Sequence, residues 1–484
     1  MSSENHSSLY FMATNSSNNL VADNSFRNYL KQLTGPIVLL GLSLIFLSSI
    51  IWHFYPTFVE CCDALSYWEI SENQDIVKNF SHRCIRTFAY PLFLSVAAFT
   101  PRFFHLGINS QYTFIALVQL GIHFFASLLL GYSIYLYTNN KHITSLILFL
   151  YGLDIFLISY TNQVLTDGLA VSWLVISLSL LSQIKLYRKA STIKYLAFGI
   201  SIGILPMIRP SFSLFSLVTY FLFVVMTIHS ANSDKSLLRS IAVKILISSM
   251  GFVLPLIVQL LHYPQVFENL GHLGKMHLNM GAYVYKYITV HITREKIGLY
   301  SGAYSINPAM KEISTICQGV LNNQDCLSKF LIEHPFSSLK HYLIKLFALN
   351  DQVYLTPYIK DFFTPERYIW RGINCILLSL SVGGIVTVYQ EKIKRNFDRC
   401  KYLLLATFLI ISSLLTPLIA SVPEERFGLI FHPFFVISTS YYINRLVDRS
   451  NVRFKSDHYI KMFCVVSGIS LFFLSMHIEK SFNI

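Results

Sequence analysis

Apolar residues in this 484-residue chain are gathered into blocks of about 20, separated by short polar stretches, and that is the length of helix that crosses a hydrocarbon layer roughly 30 Å thick. Such blocks confine the chain to a bundle of helices in a membrane. Charged residues make up 13% of the sequence, against about 25% in soluble chains, so several soluble domains are excluded. The net charge of +13 would suggest a polyanion partner in a soluble domain. Here the basic residues sit in loops between blocks, where they report orientation toward the cytoplasm, and no nucleic acid is implied.

The blocks run near Pro36 to Phe54, Tyr112 to Tyr137, Ile143 to Tyr160, Gly168 to Ile184, Tyr195 to Ile208, Phe212 to His229, Ile241 to Leu261, Ile369 to Tyr389, Leu403 to Ile419, Phe427 to Ile443 and Ile460 to Ile478. The expected fold is therefore all-α and polytopic, with about 11 transmembrane helices, in a range of 10 to 13. The first block is too long for a signal peptide's apolar region and reads as a retained span. A further apolar stretch, Phe88 to Phe104, decides the parity of every later loop. If it does not cross, four basic loops share the side of the N-terminus: Lys185 to Lys194, Lys235 and Arg239, Lys392 to Lys401, and Arg445 to Lys455. The positive-inside rule makes that side cytoplasmic. Pro91 and Pro101 also break the stretch, which reads as a helix lying on or dipping into the outer leaflet.

This topology divides the chain into a disordered, Ser/Asn-rich cytoplasmic N-terminus (1–30), an N-terminal transmembrane module (31–262) with a first outer loop (55–111), an extracytoplasmic cap (263–368) and C-terminal helices (369–484). Cys61, Cys62, Cys84, Cys317 and Cys326 fall outside. An oxidising compartment permits bridges from Cys317 to Cys326 and from Cys61 or Cys62 to Cys84. No Cys/His spacing suits a structural zinc.

Ionisable residues collect at the outer ends of spans: Asp63 after the first, Asp167 opening another, Arg209 before Pro210, and Glu424-Glu425-Arg426 between two more. Taken singly, each has an ordinary explanation, as a helix cap, a snorkelling arginine or a loop ion pair. Taken together they put acids and guanidinium groups at one membrane level from four separate places in the sequence, and charge at such depth is usually functional or paired.

In order along the chain stand Asp63 with Tyr67 and Trp68, then Arg86-Thr87-Phe88-Ala89-Tyr90-Pro91, then Thr166-Asp167-Gly168-Leu169, Arg209-Pro210, and Glu425-Arg426-Phe427 followed by His432-Pro433. The pattern resembles the GT-C superfamily of integral membrane glycosyltransferases, within it the branch of protein O-mannosyltransferases and the lipid A aminoarabinose transferase. The resemblance implies transfer of a sugar from a polyprenyl-phosphate carrier to a lipid, polysaccharide or protein acceptor at the non-cytoplasmic face, by a single inverting displacement. It assigns the first-loop acid, here Asp63, as catalytic base, or as a positioning group if the acceptor is already an anion; Asp167 joins it in the catalytic set, orienting Arg209 or another cation or holding the sugar hydroxyls. Arg86, Arg209 and Arg426 would neutralise the departing phosphate, and Glu425, Tyr67 and Lys275 would complete substrate binding, with His272 and His277 beside Lys275. Trp68 and Trp370 are candidate stacking platforms for a sugar. Some members use a divalent metal near the first-loop acid, which Asp63 and Asp167 would share; no metal or other cofactor is assigned. The paired first-loop acids frequent in the family have no clear counterpart here. The location implied is a bacterial inner (plasma) membrane with the site facing outward; in an endoplasmic reticulum membrane Asn79-Phe80-Ser81 would be a glycosylation acceptor.

The competing expectation is a secondary transporter or lipid flippase. Its binding groups would lie near the midplane, on related halves. No half-to-half repeat is present, and Asp154 is the exceptional mid-span acid.

Overall fold

The computed structural model describes residues 26–55, 57–58, 62–72, 87–186, 191–229, 235–262, 264, 266–281, 284–294, 297–306, 332–356, 358–359, 364–389, 397–447 and 456–483. Every expected apolar block is helical. The helices are α1 Thr34–Phe54, α2 Cys62–Glu72, α3 Ala89–Phe103, α4 Ile108–Thr138, α5 Lys141–Gly152, α6 Ile155–Thr161, α7 Thr166–Leu186, α8 Thr192–Ile208, α9 Ser213–His229, α10 Lys235–His262, α11 Val266–Gly281, α12 Pro335–Leu349, α13 Glu366–Val388, α14 Phe397–Ala420, α15 His432–Val447 and α16 Ser456–Lys480.

Seven of these, or eight with the bent pair α5 and α6 taken as one span, are long and apolar enough to cross a membrane. The expected number was about eleven. The difference lies in α8, α15 and the apolar part of α14, which have 17, 16 and 17 residues and so reach only about 25 Å at 1.5 Å per residue. For α15 the reason is local: Glu425–Phe431 winds as a 3-10 turn and shortens the α-helix that follows.

Asp154 accounts for the bend of 48° between α5 and α6. Its side chain accepts the amides of Phe156 at 3.1 Å and Leu157 at 3.3 Å, an N-cap that starts a second helix inside one apolar run. The other carboxylate oxygen meets His432 Nδ1 at 2.7 Å. The mid-span acid is thus a buried cap and pair that ties α6 to the start of α15.

Helix α3 lies against α2. Ser95 Oγ and Arg102 Nη1 both donate to the Ser71 carbonyl, at 3.1 and 3.3 Å, while Leu92, Val96, Phe99 and Phe103 stand exposed along one side. An apolar stripe at this spacing on a short helix suits a membrane surface.

One departure from the all-α expectation lies in the cap. Strands β1 Val284–Arg294 and β2 Ile297–Ile306 form an antiparallel hairpin, flanked by β3 Tyr358–Ile359 and β4 Phe482–Asn483 in the order β3-β1-β2-β4. The sequence Val-Tyr-Lys-Tyr-Ile-Thr-Val-His-Ile-Thr-Arg is rich in β-branched and aromatic residues, which suit a pleated strand. A search for span-length apolar runs passes over it. The hairpin is joined to the bundle at residue 287, whose amide donates to the Pro423 carbonyl at 2.8 Å.

A single buried core draws on α2 to α9, the 3-10 turn, α14 and α15, and it positions the helix ends that carry the charges. Two glycines permit close approaches next to the charged helix ends. A Cβ at Gly168, in the first turn of α7, would stand 2.6 Å from Thr161; one at Gly428 would stand 1.8 Å from the Leu349 carbonyl at the end of α12.

Candidate active site

Four helix ends meet in one charged cluster. Asp63 lies in the first turn of α2, Asp167 in the first turn of α7, Arg209 is the residue that ends α8, and Arg426 is the second residue of the 3-10 turn. Arg426 Nη1 is 3.0 Å from Asp63 Oδ2 and 3.9 Å from Asp167 Oδ2, and its Nε lies 2.5 Å from Glu424 Oε2. Arg209 donates through Nη1 to Asp167 Oδ1. One guanidinium therefore serves three carboxylates, and a second holds the most deeply buried of them.

The ring of Phe427 sits between the two cations, its centroid 4.5 Å from the Arg209 guanidinium carbon and 5.3 Å from that of Arg426. A ring face attracts cations, so one phenyl group helps hold two like charges in a small space. Burial is uneven across the cluster. The Asp167 side chain is 1% exposed and the Asp63 side chain 27%, which makes Asp63 the acid most open to an incoming molecule. Asp167 Oδ2 has no hydrogen-bond donor among the described residues.

Beside Arg426 opens a crevice of empty volume about 250 Å³, edged by Tyr160, Tyr287, Tyr354, Thr356 and Glu424. Gln163 Nε2 donates to Thr356 Oγ1 at 3.0 Å and so links the loop before Asp167 to this wall.

Glu425 faces away from the cluster. Its carboxylate is buried, 2.8 Å from Lys286 Nζ on β1, and accepts the amides of Val353 at 3.1 Å and Tyr354 at 3.3 Å. Lys286 also reaches Asp351 Oδ2 at 2.9 Å and the Asp351 carbonyl at 2.6 Å, and Ser475 donates to the same carboxylate oxygen at 2.8 Å. Burial pushes the Glu425 carboxyl up, and Lys286 only partly opposes it. For Lys286 burial acts downward, but Asp351 and then Glu425 outweigh it and hold the ammonium above its ordinary value. Arg371 and Arg367 both pair with Glu479, Arg367 Nη2 at 2.8 Å, on the far side of a second cavity whose wall includes Lys286 and Asp351.

Tyr67 is buried in the core, its ring edge 4.9 Å from Tyr90. Trp68 is 2% exposed and packs between Tyr112, Phe58 and the Arg102 guanidinium, which removes it as a sugar platform. Arg86 lies outside the described residues, as do the side chains of Lys275, His272 and His277 on α11 and the cysteines expected to pair. Cys375 and Cys464 are buried and free. Among the described residues no three His, Cys, Asp or Glu side chains are arranged to hold a metal ion. Arg426 lies between Asp63 and Asp167, 3.0 and 3.9 Å from their carboxylates. Lys286 and Asp351 escaped sequence reasoning, because a lone lysine in a strand and an acid after a helix carry no local signal; Glu424 was seen in its turn, but the sequence could not say which of the two neighbouring acids faces the cluster.

No protein-family model and no curated protein matches this sequence. Among solved structures, the chain is similar to the archaeal oligosaccharyltransferase AglB from Archaeoglobus fulgidus in complex with an inhibitory peptide and a dolichol-phosphate, at 13% identity and a TM-score of 0.41, over 93% of this chain and 56% of that one. It is likewise similar to the crystal structure of the Archaeoglobus fulgidus oligosaccharyltransferase in the apo form, at 13% identity and a TM-score of 0.44, over 92% and 56%. The chain thus spans about half the length of these proteins.

Proposed function

We propose that this protein is a membrane glycosyltransferase of the GT-C type, which moves a sugar from a polyprenyl-phosphate carrier to a lipid, glycan or protein acceptor at the extracytoplasmic face. The supporting observation is the single cluster formed by Asp63, Asp167, Arg209 and Arg426, contributed by four segments far apart in the sequence. A structural ion pair needs two such groups. A site for a charged reaction uses acids of unequal exposure with fixed cations between them.

In this reading the donor phosphate approaches Arg426 and Arg209, whose planar guanidinium groups suit two phosphate oxygens at once. As the phosphate takes over Arg426, Asp63 is released from that partner and accepts the proton of the acceptor hydroxyl. The acceptor oxygen attacks the anomeric carbon, the carbon–oxygen bond to phosphate breaks on the opposite side, and the leaving phosphate keeps the electron pair. Charge growing on it is met by guanidinium groups already in place, which need no reorganisation. One displacement inverts the anomeric centre and leaves no sugar on the protein. Asp167, buried against Arg209, keeps that arginine aligned throughout.

The test is transfer of labelled sugar from a synthetic polyprenyl-phosphate donor by the purified protein in liposomes. Label appearing on an acceptor, with inverted configuration, supports the proposal. Label crossing the bilayer while still attached to its carrier identifies a flippase and refutes it.

A further inference from the structure

We infer that strand β1 of the cap positions the catalytic turn, with Lys286 acting through Glu425 to hold Arg426 and Glu424 toward the acids. The inference rests on the glycosyltransferase reading only for the word catalytic; the mechanical link stands on its own geometry. Three consecutive residues of the turn split their side chains. Glu424 and Arg426 join the cluster with Asp63, while Glu425 between them points back into the buried ion pair with Lys286 at 2.8 Å.

The backbone of the turn is held from the same direction. Residue 287 of β1 donates its amide to the Pro423 carbonyl at 2.8 Å and forms a parallel bridge with residue 424. Gln352 Nε2 donates to the Glu425 carbonyl, and the amides of Val353 and Tyr354 to the Glu425 carboxylate. Lys286 closes the arrangement by also binding Asp351, whose carbonyl and carboxylate begin that loop. On the other side, Gly428 lets the turn sit directly on the Leu349 carbonyl. The Lys286 side chain is 2% exposed and pairs with Asp351 and Glu425. It is a positioning residue, and the cap is mechanically joined to the site rather than merely covering it.

The experiment uses the full-length protein with Lys286→Met, Glu425→Gln and the two combined. Hydrogen exchange over the peptide 421–431, the donor KM, kcat and the unfolding midpoint are measured for each. Glu425→Gln keeps an oxygen for the Val353 and Tyr354 amides while removing the charge, so it folds where Lys286→Met alone leaves two buried carboxylates without their cation. Expected are several-fold faster exchange confined to 421–431, a fall in kcat on the order of 10²-fold, the scale of a misplacement of about 1 Å at the reacting groups, and a severalfold rise in donor KM, because Arg426 moves with the turn. In the double variant the midpoint recovers in part, because one of the two carboxylates stranded by Lys286→Met is neutralised while Asp351 remains, but kcat does not recover.

Unchanged exchange in 421–431 overturns the inference, and so does a kcat that recovers together with the midpoint. If the wild-type protein transfers no sugar at all, the functional reading fails by itself, and the exchange measurement still decides whether Lys286 holds the turn.

Discussion

Replacing Asp63 and Asp167 by asparagine, one at a time, separates catalysis from architecture, because the two acids share Arg426 but differ in burial. Asp63 is 27% exposed and 3.0 Å from Arg426 Nη1. A pair so open to water contributes about 0–1 kcal/mol after screening, so Asp63→Asn leaves the unfolding midpoint almost unmoved. Asp167 is 1% exposed, is bonded to Arg209 and lies 3.9 Å from Arg426. At 3.9 Å the Arg426 guanidinium is attracted by roughly 4 kcal/mol at an effective dielectric near 20. Neutralising the acid takes from Arg209 its carboxylate partner while Arg426 keeps Asp63 and Glu424, and breaking a buried pair in this way costs about 3–5 kcal/mol. For a chain of 484 residues the corresponding fall in midpoint is roughly 3–5 °C. Activity runs the other way for Asp63: loss of a positioned base lowers the rate by about 10²–10⁴-fold in a protein that remains fully folded. Differential scanning of detergent-purified variants, beside sugar transfer from a labelled donor, reads both quantities. An Asp63→Asn variant that keeps more than about a tenth of the wild-type rate refutes the base assignment. An Asp167→Asn variant that unfolds with the wild type refutes the electrostatic reasoning.

Other expectations follow from single contacts. Arg209→Lys keeps the charge but loses the planar fork, so donor KM rises severalfold while the fold survives, as a titration of initial rates will show. Gly428→Ala places a methyl group 1.8 Å from the Leu349 carbonyl; backbone must shift there, and expression or thermal stability falls together with activity. Lys345 is buried and donates to the Gly281 carbonyl at 2.6 Å, and burial pushes its ammonium down to about 7. Unfolded, the same group keeps its proton to about 10.4, so the unfolded chain binds the extra proton between these values. Stability accordingly falls as pH is lowered from about 10 to about 7 and is level below. Lys345→Met flattens that part of the stability-versus-pH curve, and an unaltered slope rules the assignment out.

Much of the architecture was legible in the chain because membrane insertion is written in run length. Each apolar block became a helix, and Asp63, Asp167, Arg209 and Arg426 at the helix ends lie together, while Glu425 turns to Lys286. What the run lengths could not convey is how backbone geometry partitions neighbouring residues. Glu425 was the expected site acid, yet Glu424 occupies that place, because successive side chains of a 3-10 turn differ by about 120° and only the docking of the turn on α12 decides which faces where. Asp154 read as a charge in mid-span; the helix break it causes, and its partner His432, depend on a contact across 278 residues of sequence. The β1 and β2 hairpin escaped for a different reason. Its alternation is a strand signal, but it lies in a segment where only helical pieces were sought.

The side-by-side placement of two acids with opposite duties makes the Pro423–Gly428 stretch unusually intolerant of changes in length. Surface loops ordinarily accept an inserted or deleted residue. Here insertion of one residue before Glu424 would rotate the frame by about a third of a turn, bringing Glu424 toward the place of Glu425 beside Lys286 and swinging Arg426 out of reach of Asp63. Chains of this design can therefore vary the composition of that loop far more freely than its count.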